Sequence, residues 1–450
     1  MVVSKNIDLE ETLINHIQRL NLTKICVSLS GGLDSIVLLH ILHQIAREQI
    51  YLRAIHFNHN LTEGSQSWAQ FCKKICNQLN VNLDIYSLKI NLHEGFGIEA
   101  AARKARYQKL GESIHKDECL MTAHHQDDQL ETILLRMARG TGIDGLQAIQ
   151  RQFDFGQGII LRPLLDFTRD QIEDYAKRNK LEWIEDTSNK EVYFDRNFLR
   201  QKVIPIMKER WPSLPSSVSR LSKISSQTLI LLKELAEQDL GKDSSITELN
   251  IDVFNDKSNE RVINMMRYLI SRNKMSSPSM RVLNAGINIL LNDESINPSM
   301  FWDDCCIKRY RNKLYFLHAS QLKPNQNLEP ENWKIKNPLR LDNDGGLLEV
   351  TLVRGQGLSL SKCDQNLTIR YRIGGESIKP VGHKITKKLK NLFQENHILP
   401  WVRDKIPLIY SGTELIGVAD LWIHDDYTAS QNEQGFLIDW QRKINIKHNC

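Results

Sequence analysis

The sequence predicts an α/β protein. Its first part is a parallel sheet with helices on both faces, followed by a helical stretch and then a small α+β domain. Three observations predict this. Over the first 215 residues short apolar runs alternate with longer segments of helical spacing. A Ser-Gly-Gly-Leu-Asp-Ser turn, Ser30–Ser35, joins the first apolar run to the first helical segment. Beyond that part glycine becomes rare, and from about residue 326 short β-rich runs take over. A chain of 450 residues is too long for one ordinary core. Three domains are therefore expected, at 1–215, 216–325 and 326–450.

The strands expected in the first part are Ile25–Leu29, Leu52–Phe57, Leu83–Leu88 and Leu120–Ala123. Helices are expected between them at Ser35–Arg47, Gln66–Leu79, Ile98–Ile114 and Asp127–Ala138. Alternation at this length implies parallel strands joined by crossover helices. Ligands of such sheets sit beyond the C-terminal ends of the strands. The glycine turn, His56–Asn60 and His124–Asp128 each follow a strand and should meet at one crevice. Pro212, Pro215 and Ser216-Ser217 mark entry to the helical stretch, where Leu229–Leu235 and Val262–Leu269 show helical spacing. Two strand-like runs lie near Lys308–Leu317. In the last part, runs at Leu347–Val353, Leu367–Arg372 and Leu415–Leu421 are separated by Gly374-Gly375 and Ser411-Gly412.

Composition narrows the class. Apolar content of 41% and charged content of 25% are those of a soluble globular protein. No apolar run approaches the roughly 20 residues of a membrane span. The N-terminus passes straight into a helix start at Asp8-Leu9-Glu10-Glu11, with no secretory leader. The eight cysteines form no C-x-x-C pair, so neither zinc nor a disulfide framework is expected, and the setting is a reduced cytoplasm. Between Leu367 and Pro407, nine Lys/Arg face Glu376, Glu395 and Asp404, a net +6. The chain totals +5, so the remainder carries −1. A basic module on a neutral body is the footprint of a polyanion-binding appendage.

The turn Ser30, Gly31, Gly32, Leu33, Asp34, Ser35 suits pyrophosphate. Its glycines remove Cβ atoms that would hold a bulky anion away. The following helix points unpaired N–H groups and its positive dipole end into the turn. No Gly-Lys-Ser/Thr follows, so this is not the common nucleotide-hydrolase loop. In His124-His125-Gln126-Asp127-Asp128-Gln129-Leu130-Glu131, helical spacing puts Asp127 and Asp128 on one face with Glu131. Such carboxylates repel unless a cation lies between them, either Mg²⁺ or a protonated amine. Arg103 and Arg106 are three apart on a helix start and suit phosphates. Arg196 and Arg200 are four apart around Asn197. Near the C-terminus, Arg372 and the lysines Lys387, Lys388 and Lys390 interleave with Phe393 and Trp401, a pattern that fits RNA with a ring available to stack.

The turn resembles that of the N-type ATP pyrophosphatases, also called the PP-loop superfamily. The larger pattern resembles the tRNA(Ile)-lysidine synthetase family. It rests on Ser30–Ser35, His56–Leu61, Ile98–Tyr107, Ala123–Gly145, Glu185–Pro205, Arg372–Lys379 and Lys387–Leu408. Thr62 stands where the family pattern has Arg, and Glu191 where Asp is usual. The resemblance implies a PP-loop, Rossmann-like catalytic domain with two tRNA-binding domains after it. It implies a ligase that adenylates the C2 oxygen of the wobble cytidine in a CAU-anticodon isoleucine tRNA. L-lysine then displaces AMP, and the product decodes AUA and is charged with Ile rather than Met.

ATP and Mg²⁺ are the implied cofactors. Ser30–Ser35, His56 and Arg103 would hold ATP. Asp34 and Asp127 would hold the metal, and Asp34, His124, Asp127, Asp128 and Glu131 would serve catalysis. Arg106, Asn197, Arg200, Arg372, Lys387 and Lys390 would contact tRNA or lysine. A homodimer is left open as a further partner. Two other classes compete: a PP-loop tRNA cytidine thiolase, which would use paired cysteines, and a catalytically silent tRNA-binding protein.

Overall fold

The computed structural model describes residues 8–46, 50–58, 65–87, 98–185, 193–241, 247–293, 297–322, 329–335, 337–341 and 345–442. His59–Thr62, Gly97 and Asp186–Glu191, which carry part of the sequence pattern, lie outside the described residues. The chain forms two compact units, divided between Leu232 and Lys233.

In the first unit the elements run α1 (Leu9–Arg19), β1 (Lys24–Ser28), α2 (Leu33–Ile45), β2 (Tyr51–Asn58), α3 (Ser65–Gln78), β3 (Asn82–Ser87), α4 (Ile98–Ser113), β4 (Cys119–Met121) and α5 (Gln126–Ala138). Each expected strand and helix of this stretch is present within a few residues. Asp8 caps α1 by accepting from the Glu10 amide at 3.3 Å. The sheet then gains a hairpin with no counterpart among the expected strands, β5 (Gln152–Phe155) and β6 (Gly158–Leu161), turned at Gly156 with φ +59°. After it come α6 (Arg169–Arg178), α7 (Asp195–Phe198), a π turn (Leu199–Val203), α8 (Ile204–Arg210) and the long α9 (Leu214–Leu240), which runs through the expected boundary near residue 215.

Strand order among the described residues is β3-β2-β1-β4-β6-β5. All neighbours are parallel except the β5–β6 pair. Alternation along the strands divides the core in two. Ile25, Val27, Cys119 and Met121 face a cluster with Leu38, Leu39 and Phe167, whereas Cys26, Ile55, Leu120 and Ile160 face Leu110 and Ile114. The chain leaves β1 in one direction along the sheet, toward β2 and β3, and later continues on its other side with β4. That reversal opens a crevice between the C-terminal ends of β1 and β4.

The second unit holds two cores. Helices Asn259–Arg272 and Met280–Asn292 pack with a four-stranded sheet around Met265, Leu269, Leu283 and Ile307. Its strands Cys305–Tyr310 and Lys313–His318 are the two strand-like runs of the sequence, and Glu248–Asn250 and Ser299–Trp302 join them. The helical stretch therefore carries more sheet than its apolar periodicity implies. The C-terminal part is β-rich. Its sheets enclose Trp333, Leu367, Ile369, Phe393, Ile409 and Phe436.

Candidate active site

The glycine turn leaves β1 and opens α2. Gly31 has φ +89°, the left-handed region. A Cβ there would stand 3.2 Å from Cys72 Sγ. The Gly31 carbonyl accepts from the Ile184 amide at 2.9 Å. Ser35 donates from Oγ to the Gly32 carbonyl at 3.0 Å, and its Oγ also accepts from the Ser30 amide at 3.2 Å. Gly32 is the N-cap of α2 and has no side chain to cap the first-turn amides; its own amide donates to Ser30 Oγ at 3.3 Å. The first-turn N–H groups of α2 are therefore offered to a ligand, in a turn held shut by its own serines.

His56 ends up beneath this turn rather than in the open. It is buried at the end of β2, its Nδ1 lies 2.9 Å from the Leu29 carbonyl, and burial lowers its pKa. It braces the residue that leads into the loop.

Across the crevice, α5 begins at the end of β4. His125 is its N-cap and is buried. Its Nε2 lies 3.7 Å from Asp34 Oδ2 and 3.6 Å from Asp128 Oδ2, and its Nδ1 lies 3.6 Å from Asp127 Oδ2. Burial opposes charging this ring, but Asp128, Asp127 and Asp34 outweigh it and lift its pKa to about 9. His125 thus joins the two halves of the crevice as an imidazolium. Its neighbour His124 behaves oppositely. Burial first, and then the charges of Arg162, Arg196 and Arg103, bring it to about 3 despite Asp128. Its Nδ1 lies 2.9 Å from Thr122 Oγ1.

The three acids of α5 part company. Asp127 Oδ1 accepts from Lys208 Nζ at 3.0 Å, and Oδ2 accepts from the Arg169 amide at 2.9 Å. Burial disfavours its charge, but these partners and His125 together hold its pKa well below the carboxylate range. Glu131 is buried and receives Arg196 Nε at 2.7 Å and Arg200 at 2.6 and 2.9 Å. Asp128 Oδ2 accepts from the His125 amide at 3.0 Å. Among the described residues its Oδ1 has only ion-pair contacts, to Arg196 at 3.6 Å and Arg200 at 3.8 Å. Burial works against its charge too, and His125, His124 and Arg196 bring it down to about 2. The cations expected between the acids are thus partly the protein's own.

Asp34 is the exception. Its Oδ1 is buried without a hydrogen-bond partner among the described residues, and burial raises its pKa. A buried carboxylate oxygen with nothing on it, beside an open helix N-terminus, fits a divalent cation that neutralises phosphate. Asp127, with both oxygens bonded, offers less.

Arg169, Lys208 and Arg196 complete this site, and none is assigned to it by the sequence pattern. Arg196 carries a local signal in its spacing to Arg200. Arg169 and Lys208 reach Asp127 from 42 and 81 residues away, which no local pattern encodes. Of the remaining assigned residues, Arg103 is exposed with its guanidinium 5.3 Å from the Tyr107 ring. Arg106 and Asn197 are half-buried.

In the second unit, Arg372 donates to Asp404 Oδ1 at 3.1 Å, and Lys387 to Glu395 Oε2 at 2.7 Å. Lys388 and Lys390 are exposed. Phe393 is fully buried, so it is core and not a stacking surface, and Trp401 packs edge-on against Tyr315 at 5.0 Å. The spacing Leu389, Leu392, Phe393 is that of a buried helix face. Asp304, Cys305 and His318 bring their ligand atoms within 4.8 Å of one another, far along the chain from the loop residues.

A doubly wound sheet with a serine-glycine turn at its reversal point and an acid-rich helix start opposite defines a PP-loop ATP pyrophosphatase. Residues 5–207 match the PP-loop domain family, 249–315 the TilS substrate binding domain and 367–440 the TilS substrate C-terminal domain. The tRNA(Ile)-lysidine synthase of Coxiella burnetii is 36% identical over 419 residues, covering 92% of this chain and 93% of its own. Those of Legionella pneumophila (strain Paris) and Yersinia pestis are 34% and 32% identical, covering 89% and 94% of this chain and 92% and 95% of theirs. The chain belongs to the tRNA(Ile)-lysidine synthase family. Among the described residues no helix is long and apolar enough to cross a membrane.

Proposed function

We propose that this protein is an ATP-dependent ligase that converts the wobble cytidine of an isoleucine tRNA to lysidine, with free L-lysine as the amine. The observation that carries the reading is the open N-terminus of α2 facing His125 and the α5 acids across one crevice. The α2 amides and the serines of the turn receive the phosphates of ATP. Asp34 would hold Mg²⁺, which supplies positive charge against the leaving pyrophosphate. His125, as an imidazolium, keeps Asp34, Asp127 and Asp128 together at a charge density they would not otherwise tolerate.

Lysine must arrive as an ammonium, with an ordinary pKa of about 10.4, and lose a proton before attack on C2. Asp128 suits the ammonium, because its Oδ1 accepts no hydrogen bond from a described residue, whereas both oxygens of Glu131 and of Asp127 do. His124 does not suit that proton, because burial and the neighbouring arginines hold its pKa near 3, and its Nδ1 is engaged by Thr122. Glu131 then serves as the anchor that sets Arg196 and Arg200. A division into a catalytic part (1–215), a middle part (216–325) and a basic C-terminal part (326–450) agrees with the placement of one matched domain family in each.

The test is mass spectrometry of isoleucine tRNA incubated with the protein, ATP and lysine. A lysine-sized increment at the wobble cytidine, with stoichiometric pyrophosphate, is the expected result. A thiocytidine mass or an unaltered tRNA overturns the reading.

A further inference from the structure

We infer that Tyr193, Phe194 and Phe198 form a stacking platform for an unpaired anticodon-loop base next to the target cytidine. The inference rests on the lysidine reading. Tyr193 is 92% exposed, Phe194 38% and Phe198 48%. Scattered exposed apolar residues are ordinary. Three aromatic rings within six residues, with two of them in a T-shaped pair 5.6 Å apart, are not scattered.

Their position follows from the helix they begin. Phe194 is the N-cap of α7, and the Phe198 amide donates to its carbonyl at 2.9 Å. The same turn carries Arg196 and Arg200, whose guanidiniums bond to Glu131 and lie within 4 Å of Asp128. One side of this short segment is thus pinned into the crevice while its rings remain in solvent beside it. Arg139 at the end of α5 pairs with Asp195 at 3.2 Å, an exposed contact between the start of the segment and the helix that bears the acids. The π turn that follows is a local widening that is frequent at functional sites.

The occupant is single-stranded RNA by charge and by shape. Residues 193–210 hold Arg196, Arg200, Lys202, Lys208 and Arg210 against Asp195 and Glu209. An enzyme that acts on a base must draw that base out of its stack, and the neighbour left behind loses a stacking partner. A ring face replaces that partner whatever the base, while the exposed Lys202 and Arg210 face the backbone. The two rings that the sequence pattern offers in the second unit do not serve this, since Phe393 is buried and Trp401 is packed against Tyr315.

The test uses the full chain and a short RNA hairpin whose loop carries CAU, with 2-aminopurine in place of the CAU adenine. Binding to the wild type should quench the fluorescence. Tyr193→Ala with Phe194→Ala should weaken binding by roughly five- to a hundredfold, the equivalent of about 1–3 kcal/mol for one stacked base, and abolish the quench. Tyr193→Phe, which keeps the ring, should restore both. Unchanged affinity and unchanged quench in the alanine variant overturn the inference. So does a change in sedimentation with RNA affinity intact, which would make the patch a contact between copies of the chain. Lysine transfer by the wild type to the intact tRNA reads the lysidine reading separately, so failure of one and failure of the other give different results.

Discussion

The two glycines of the phosphate turn do different work, and substitution separates them. Gly31 sits at φ +89°, where an L side chain is strained by about 1–3 kcal/mol. Its Cβ would also press within 3.2 Å of the buried Cys72 Sγ. Gly32 has ordinary extended backbone, φ −77° and ψ 164°, and its Cβ would meet Ser30 Oγ at 3.5 Å, a normal contact. Gly31→Ala should therefore lower the melting temperature of the first unit by roughly 2–12 °C, at about 2–4 °C per kcal/mol for this size. Gly32→Ala should leave it within about 0.5 kcal/mol, since the entropy removed from the unfolded chain offsets the poorer cap. Yet Gly32→Ala should raise the KM for ATP, because a methyl group then stands where the anion approaches. Calorimetry and pyrophosphate release on the same samples decide it. Adding Cys72→Ala to Gly31→Ala tells backbone strain from the sulfur contact, since only the latter is relieved. Equal loss of stability at both positions, or a Gly31→Ala protein as stable as wild type, would refute the reasoning.

Three further outcomes are expected. Arg53 is buried and bonds to Glu118 at 2.7 and 2.6 Å and to Asp84 at 2.6 Å; Glu118→Gln leaves the Asp84 pair in place, so it should lower unit stability by about 1–3 kcal/mol in urea titrations without altering the KM for ATP in the folded fraction. His125 has a folded pKa of about 9 against the 6.5 of an ordinary histidine, so its contribution is complete below about pH 6.5 and is lost as pH rises through 9. That is on the order of 3 kcal/mol, and His125→Gln should flatten the decline in stability over that window; an unchanged slope would deny the imidazolium. Lys388 and Lys390 are exposed whereas Lys387 is paired with Glu395, so replacing the first two by Ala should reduce the salt slope of tRNA binding by up to about 1.4–1.8, and Lys387→Ala should do less.

What is legible in the sequence is local. The strand-turn-helix at Ser30–Ser35 and the helix start at His124 are each written in a dozen consecutive residues, and both lie where expected. The β5–β6 hairpin is four residues a strand around Gly156-Gln157, too short for periodicity to register. The partners of Asp127 come from other elements, so the sequence shows an acid cluster without its counter-charges. Lysines surround Phe393 and suggest a ring for RNA, although the spacing of Leu389, Leu392 and Phe393 already describes an inward face. Charge is visible one residue at a time, while packing needs the partner.

Helix α2 is apolar on nearly every side, with Leu33, Ile36, Val37, Leu38, Leu39, Ile41 and Leu42 all buried. A helix so enclosed has no route to local opening that spares the core. Amides in its body should exchange with solvent only when the whole unit unfolds, while those in the segment from Tyr193 exchange through small openings. The turn at Ser30–Ser35 is thus fastened to a part of its unit that opens last, and the segment from Tyr193 to one that opens sooner. Mutations that weaken the core would then loosen the segment from Tyr193 first, and leave the ATP end intact until the unit itself melts.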